Sequence, residues 1–431
     1  MHRLMTALYR GLVTRAGEGA GSDDPRTART FFRLLTSYFL TKLGDAVTNP
    51  KTVLAWLATS LGVPVYLVGM LVPVREAGAL LPQFYIAGLV RRRALRKRLW
   101  VLGACAQGVA VLAIAGAAAL LQGRIAGLVI LALTGLFALA RALASVAAKD
   151  VLGKTIPKGQ RGQITGWSAS LAGLLTVAVG ASIATVADYD GGAARLVTLL
   201  AGAALLWFAA AAIYAGIEEP RNDIDTEGDG APGPWSRFRL LRDDAAFRDF
   251  VVVRALLLGS ALTAPYLVML AQQRMGGSVG VLGSFVVAGG LASLISAPIW
   301  GRLADRSSRA VMRSAALATA MLGAAVAAAD TWLPALTATR WFLPAAFFLL
   351  SIAHAGARVG RKTYVVDLAS GNRRTDYVAI GNSVIGVCLL LTGLIGLAEP
   401  LLTLPGVILV LSFMGLASAL YGRRLPRVGR G

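Results

Sequence analysis

The chain has 431 residues, 56% of them hydrophobic and 15% charged, with a net charge of +21. Soluble globular domains carry about 25% charged residues, so this composition excludes an ordinary water-soluble enzyme and points to a chain solvated by lipid. The only cysteines, Cys105 and Cys388, each sit inside an apolar run, which excludes a disulfide framework and a thiolate metal cluster.

Residues 1–16 show an amphipathic pattern, with Leu4, Leu8 and Leu12 on one side and Arg3, Arg10 and Arg15 elsewhere. The apolar stretch is too broken for a cleavable signal peptide, and a helix lying on the cytoplasmic leaflet fits better. Apolar runs of about the length needed to cross the hydrocarbon core then recur to the end of the chain. The predicted spans are 38–60, 64–90, 99–121, 125–147, 163–186, 196–216, 247–270, 280–301, 311–329, 336–357, 378–398 and 402–421. They lack period-2 alternation and are rich in Ala, Leu and Gly, so membrane strands are excluded in favour of helices.

Basic residues orient these spans. One set of connections holds Arg91–Arg93, Arg96, Lys97 and Arg98, then Lys154, Lys158 and Arg161, then Arg302, Arg306, Arg309 and Arg313, then Arg361, Lys362, Arg373 and Arg374. The opposite set holds little beyond Arg124, Arg195, Arg274 and Arg340. The excess places the first set and both termini in the cytoplasm, in an inner membrane. It also accounts for the net charge without nucleic acid as a partner; the lipid bilayer is the partner the charge pattern implies.

Within the first span Tyr38, Lys42, Asp45, Asn49, Thr52 and Trp56 recur at steps of three or four, a polar stripe on an apolar helix. The second span carries Arg75 and Glu76 near its middle, where charge is costly and usually functional. Arg75 is a candidate partner of Asp45, which leaves Glu76 as a candidate proton carrier. Lys42 and Asp45 are also spaced for a purely structural pair. The fourth span places Arg141, Ser145 and Lys149 on one face; the tenth places His354, Arg358 and Lys362. Lys149, Arg358 and Lys362 lie near the cytoplasmic ends, where snorkelling to the headgroups is the bland reading. Trp56 and Tyr66 have an interfacial anchor as theirs. The pathway candidates are therefore Asp45, Asn49, Arg75, Glu76, Arg141, His354 and Arg358.

Residues 217–246 are acidic and rich in Gly and Pro, and read as a flexible cytoplasmic linker. On either side the sequence repeats. Phe32, Arg33, Gly44, Thr48 and Pro50 recur 215 positions later as Phe247, Arg248, Gly259, Thr263 and Pro265. Gly88, Arg96, Lys149, Arg161, Ser170 and Gly173 recur 213 positions later as Gly301, Arg309, Lys362, Arg374, Ser383 and Gly386. Six spans per half give the repeats the same orientation. The organisation is then an N-terminal segment 1–37, a six-helix bundle 38–216, the linker 217–246, a second bundle 247–421 and a tail 422–431.

The segment GRLADRSSR, with Gly301, Asp305, Arg306 and Arg309, resembles the Gly-x-x-x-Asp-Arg-x-x-Arg loop between the second and third helices of each half in the major facilitator superfamily. The N-terminal copy keeps Gly88 and Arg96 but has Arg92 in place of the Asp. The resemblance implies an all-α membrane fold of twelve helices in two parallel repeats. It also implies a central cavity lined by the first, fourth, seventh and tenth helices, and a loop whose Asp–Arg pairs help hold the inward gate closed. Gly301 reads as a site of close helix approach. The fifth helix has Gly166, Gly173 and Gly180 but lacks the Gly-Pro signature of the family's drug antiporters.

The function expected is secondary transport of a small solute by alternating access, with a proton as candidate coupling ion. Arg75, Arg141 and His354 lean toward an organic anion as substrate. The alternative is a non-transporting assembly protein on the same fold. A nucleotide-binding loop of GxxxxGK[ST] type is absent from the sequence, and no cofactor or metal is expected.

Overall fold

The computed structural model describes Tyr9 and residues 25–157, 160–185, 192–220, 238–368 and 371–428. The rest of the predicted amphipathic segment, most of the predicted linker and the last three residues lie outside the described part. Helix dominates it, because a backbone in lipid must satisfy its own hydrogen bonds.

In the first half the helices are α1 (Pro25–Val47), α2 (Val53–Ser60), α3 (Val65–Leu80), α4 (Gln83–Arg91), α5 (Lys97–Leu120), α6 (Gly123–Thr155), α7 (Arg161–Thr185) and α8 (Gly192–Ala215). In the second they are α9 (Ala245–Leu256), α10 (Leu258–Met275), α11 (Val279–Trp332), α12 (Phe342–Leu368), α13 (Gly371–Gly393) and α14 (Glu399–Tyr421). Nine stretches among the described residues are long and apolar enough to cross a membrane, and the last, Asp376–Tyr421, contains most of α13 and all of α14. The first two predicted spans fall outside that set: the helix that opens the first, α1, is long enough but carries Arg26, Arg29, Arg33, Lys42 and Asp45, the helices of the second are too short, and each span is broken. The first breaks between α1 and α2 at Pro50, which cannot donate a backbone hydrogen bond. The second breaks at Leu81–Pro82, between α3 and α4. Counting each broken pair as one span gives the arrangement the twelve-helix reading expects.

Several predicted bounds shift. The first helix begins at Pro25, well before residue 38. The second half begins with α9, whose Asp244 cap accepts from the Phe247 backbone N–H at 2.9 Å. Predicted spans eight and nine join in α11, where Ser307 alone leaves helical geometry (φ −164°, ψ 98°).

The two halves pack alike. In the first, Gly44 of α1 lets the ring of Trp207 on α8 approach so closely that an added Cβ would lie 2.7 Å away. In the second, the repeat-related Gly259 of α10 meets the Leu411 carbonyl of α14, again with no room for a Cβ. The core of the first half is aromatic: Trp100 stacks on Tyr214 at 3.7 Å, and Phe137 meets Trp207 edge-on at 5.4 Å.

The halves meet along two seams. On one, Gly173 and Gly180 of α7 interleave with Gly283 and Gly290 of α11; an added Cβ at Gly283 would lie 2.7 Å from the Ala184 Cα. Small residues give membrane helices their close contacts, since burial of apolar surface supplies no drive in lipid. On the other, α3 packs on α13, with Leu81 against Gly386 and Met70 against Gly393. At the end away from the basic loops, Tyr266 of α10 is buried with its hydroxyl fitted against Gly69 of α3 and Gly396.

Candidate functional site

Between the halves lies a cavity of about 420 Å³, lined from α1, the break after it, α7, α10, α11 and α12. That is within the usual range for small-molecule sites, roughly 300–1,000 Å³. Its polar wall carries Lys42, Asn49, Lys51, Thr52, His354 and Arg358. Its apolar wall includes Phe285 and Phe347, in edge contact at 5.2 Å. Among the described residues, no Asp or Glu lines it.

The break after α1 shapes the polar wall. The Asn49 side chain accepts from the Lys51 backbone N–H at 2.9 Å, closing an Asx-type turn that turns Lys51 inward. The predicted stripe therefore divides. Lys42, Asn49 and Thr52 line the cavity, and Asp45 is drawn to other helices. Trp56 is fully buried, which overturns its reading as an interfacial anchor. Lys42 does not pair with Asp45 either. Its ammonium donates to the Thr165 carbonyl and the Ser168 hydroxyl of α7, both at 2.7 Å.

Asp45 takes two guanidinium groups. Arg75 Nη2 donates to Asp45 Oδ1 at 2.6 Å, and Arg141 Nη1 to the same oxygen at 2.5 Å. Arg75 also donates to the Thr48 carbonyl at 2.7 Å and lies over the Phe137 ring at 4.5 Å. The expected Arg75–Asp45 pair is present, joined by Arg141. Glu76 is on the other face of α3: its neighbours Arg75 and Ala77 are buried and it is exposed. It makes no ion pair or hydrogen bond among the described residues, and stands within electrostatic reach of Lys51, Arg141, Arg361 and Arg75.

His354 is fixed by Ser260. The Ser260 hydroxyl donates to the Leu257 carbonyl at 2.7 Å and lies 3.2 Å from His354 Nδ1. The serine has one proton to give, so the contact with Nδ1 holds the ring in place and leaves Nε2 free of this bond. Arg358, one turn on, is exposed, and neither it nor Arg361 has an ion pair or hydrogen bond among the described residues. Lys149 of α6 and Lys362 of α12 are within electrostatic reach of each other, and neither lines the cavity.

The two loops predicted to gate the cavity differ from expectation. Asp305 is exposed and makes neither ion pair nor hydrogen bond among the described residues. The local cap is Ser307, whose hydroxyl accepts from the Ala310 N–H at 3.2 Å. Arg306 is exposed and Arg309 donates to the Arg423 carbonyl at 3.1 Å. Gly301 and Gly88 face open space, so neither serves a close helix approach. The N-terminal loop, which lacks the Asp, carries the ionic network instead. Arg96 pairs with Asp150 of α6, and Lys154 bridges Asp150 at 2.8 Å and Glu219 at 3.0 Å. The Glu219 carboxylate also accepts the backbone N–H groups of Arg96 and Lys97, capping α5. Glu219 lay in the predicted linker, yet its side chain is fully buried.

Sequence reasoning therefore missed Lys51, Arg361 and Glu219 as site or network residues. Lys51 lies off the three-to-four-residue stripe, and only the Asn49-Pro50 pair before it signals the break that turns it inward.

These features define a polytopic helical membrane protein with a solvated site between two parallel repeats. The sequence model of the Major Facilitator Superfamily matches residues 34–384, and the chain belongs to that superfamily. No curated protein matches it by sequence. Among solved structures it is similar to a mutant of the nucleoside transporter NupG, at 12% identity and a TM-score of 0.69 over 92% of this chain and 99% of that one. It is similar to the inward-open xylose transporter XylE from E. coli, at 13% identity and a TM-score of 0.63 over 94% and 96%. It is also similar to a POT family transporter in complex with 5-aminolevulinic acid, at 11% identity and a TM-score of 0.69 over 95% and 97%. At these identities the likeness shows the fold alone.

Proposed function

We propose that this protein is a secondary transporter of a small organic anion, seated in a bacterial inner membrane with its basic loops and both termini in the cytoplasm. The observation that carries the reading is the polar wall of the cavity, where Lys42, Lys51 and Arg358 stand with no carboxylate beside them among the described lining residues. Like charges gathered on one wall repel one another, and an anionic ligand relieves that repulsion. His354 Nε2 offers a hydrogen-bonding position to a polar group of the ligand, and Phe285 and Phe347 offer a wall to an apolar body. Lys51 comes from the first half and Arg358 from the second, so one bound anion ties the halves together. Such a tie is the differential contact that a rocking cycle requires.

With the basic loops on the cytoplasmic side, Lys149 and Lys362 stand toward the cytoplasmic ends of α6 and α12. Arg75, Asp45 and Arg141 join three helices of the first half into one body. A scaffold protein on the same fold has no use for a solvated cavity lined by unpaired cations.

The test is a matched set of ring compounds on detergent-purified protein: benzoate and phenyl phosphate against benzamide and benzylamine. Ligands that bind only the folded state raise the unfolding midpoint. One or both anions should raise it, the neutral and cationic analogues should not, and Lys51→Gln should abolish the effect. A midpoint raised equally by benzamide or benzylamine would sink the proposal.

A further inference from the structure

Lys51, Arg358 and Arg361 carry three positive charges, and the one carboxylate acting on Lys51 and Arg361, Glu76, makes no ion pair with them. Arg358 lies one turn along α12 from His354, and Arg361 three residues further. Lys51 and Arg358 line the cavity directly. None of the three has an ion pair or side-chain hydrogen bond among the described residues. The nearby acids are already committed: Asp45 serves Arg75 and Arg141, and Glu76 faces four cations at once. Lys42 is held by a carbonyl and a hydroxyl, which solvate its charge without cancelling it. The elements packed against the cluster from α7 and α11 contribute alanine, glycine, threonine, serine, phenylalanine and valine to the cavity, and no acid among the described residues.

Alternating access requires the site to pass through a state closed at both ends. While the site is open, water screens these cations, and Arg358 is exposed to it. Closing the site removes that water and leaves like charges from opposite halves facing each other in a poorly screened space. Losing the Lys51 proton would still leave the Arg358 and Arg361 guanidiniums, which do not deprotonate in proteins. An anion cancels that charge.

We infer that the protein does not reorient empty and works as an anion exchanger, with an anion bridging Lys51 and Arg358 on both the outward and the return stroke. The inference rests on the reading of the cavity as an anion site, and names what couples its cycle: a second anion, carried in the opposite direction, in place of a proton.

The test needs no knowledge of the substrate. Spin labels at Gln122→Cys and Leu333→Cys, in a Cys105→Ala, Cys388→Ala background, report the distance between the halves at the end away from the basic loops. In buffer whose only anion is the bulky gluconate, reconstituted wild-type protein should show one short-distance population. Millimolar inorganic phosphate should add a longer one. The Lys51→Gln/Arg358→Gln double variant should populate the longer distance at least tenfold more than wild type with no added anion. Arg358→Lys, which keeps the charge, should behave as wild type. A longer population in the double variant alone still supports the inference and excludes phosphate as the counter-anion. A wild-type distribution already divided in gluconate overturns it, as does a double variant indistinguishable from wild type. If the ring anions fail to stabilise the protein while the charge-dependent block holds, the organic-anion reading fails and this inference stands.

Discussion

At Asp45 one carboxylate oxygen receives a buried guanidinium from α3 and a half-exposed one from α6. Asp45→Asn keeps the shape and leaves Arg75 buried without a counter-charge. The expected loss is about 1–3 kcal/mol of stability, read as a lower unfolding midpoint in detergent, with a midpoint equal to wild type contradicting the assignment. Asp305→Asn should change stability by less than about 0.5 kcal/mol, because an exposed group without partners among the described residues has little to lose. Glu76 makes a sharper case. If it competes with the ligand for Lys51 and Arg361, Glu76→Gln should tighten anion binding by about fivefold, or about 1 kcal/mol. If it carries a proton, affinity should stay constant and uphill accumulation should vanish. Titration calorimetry with whichever ring anion binds separates the two. Arg75, Asp45 and Arg141 were legible as intramembrane charges able to meet, because such charge is rare and its spacing tells which face it occupies; of these three and His354, only His354 lines the cavity. Lys51 was not, because helical periodicity fails where the helix does. The partner of Arg96 was hidden for a different reason: Asp150 and Glu219 lie far along the chain, and only packing brings them to the start of α5.

Among the elements, the breaks matter most. Pro50 divides the first span, and the Asx turn at Asn49 aims Lys51 at the cavity. Pro82 could be read from sequence as a stop, yet both broken spans look continuous by hydropathy alone. The interleaved glycines of α7 and α11 were half legible: the sevenfold spacing of Gly173 and Gly180 marked a packing face, and only the fold shows that the partner is Gly283 and Gly290 across the halves. Gly283→Ala places a methyl group 2.7 Å from the Ala184 Cα and the Gly180 carbonyl oxygen, where no flexible side chain can yield. The substitution should cost about 1–3 kcal/mol or slow exchange by an order of magnitude, since the halves must move along this seam. Gly166→Ala, which meets open space, is the control and should leave both unchanged. Equal behaviour of the two variants in a thermal-melt and flux comparison would remove α7–α11 as the tight seam.

For the whole molecule, the parallel repeat was readable because two offsets, 215 and 213, persist along the chain. The packing repeats with it, from Gly44 against Trp207 to Gly259 against Leu411. The seams between the halves were not readable, because no local pattern records contacts between residues far apart in the chain. Orientation is carried by the basic loops: reporter fusions at Gly230 and Gly431 should both signal cytoplasm, and a periplasmic signal at either would break the assigned topology. The central claim is that the cavity selects and moves anions. Concentration-jump currents on proteoliposomes adsorbed to a solid-supported membrane test it most directly, with benzoate, phenyl phosphate, benzamide and benzylamine applied in turn and chloride replaced by gluconate. The account predicts a saturable current for at least one of the two anions, absent for benzamide and benzylamine and lost in Arg358→Gln. A saturable benzylamine current, or an anion current that survives Arg358→Gln unchanged, would contradict it.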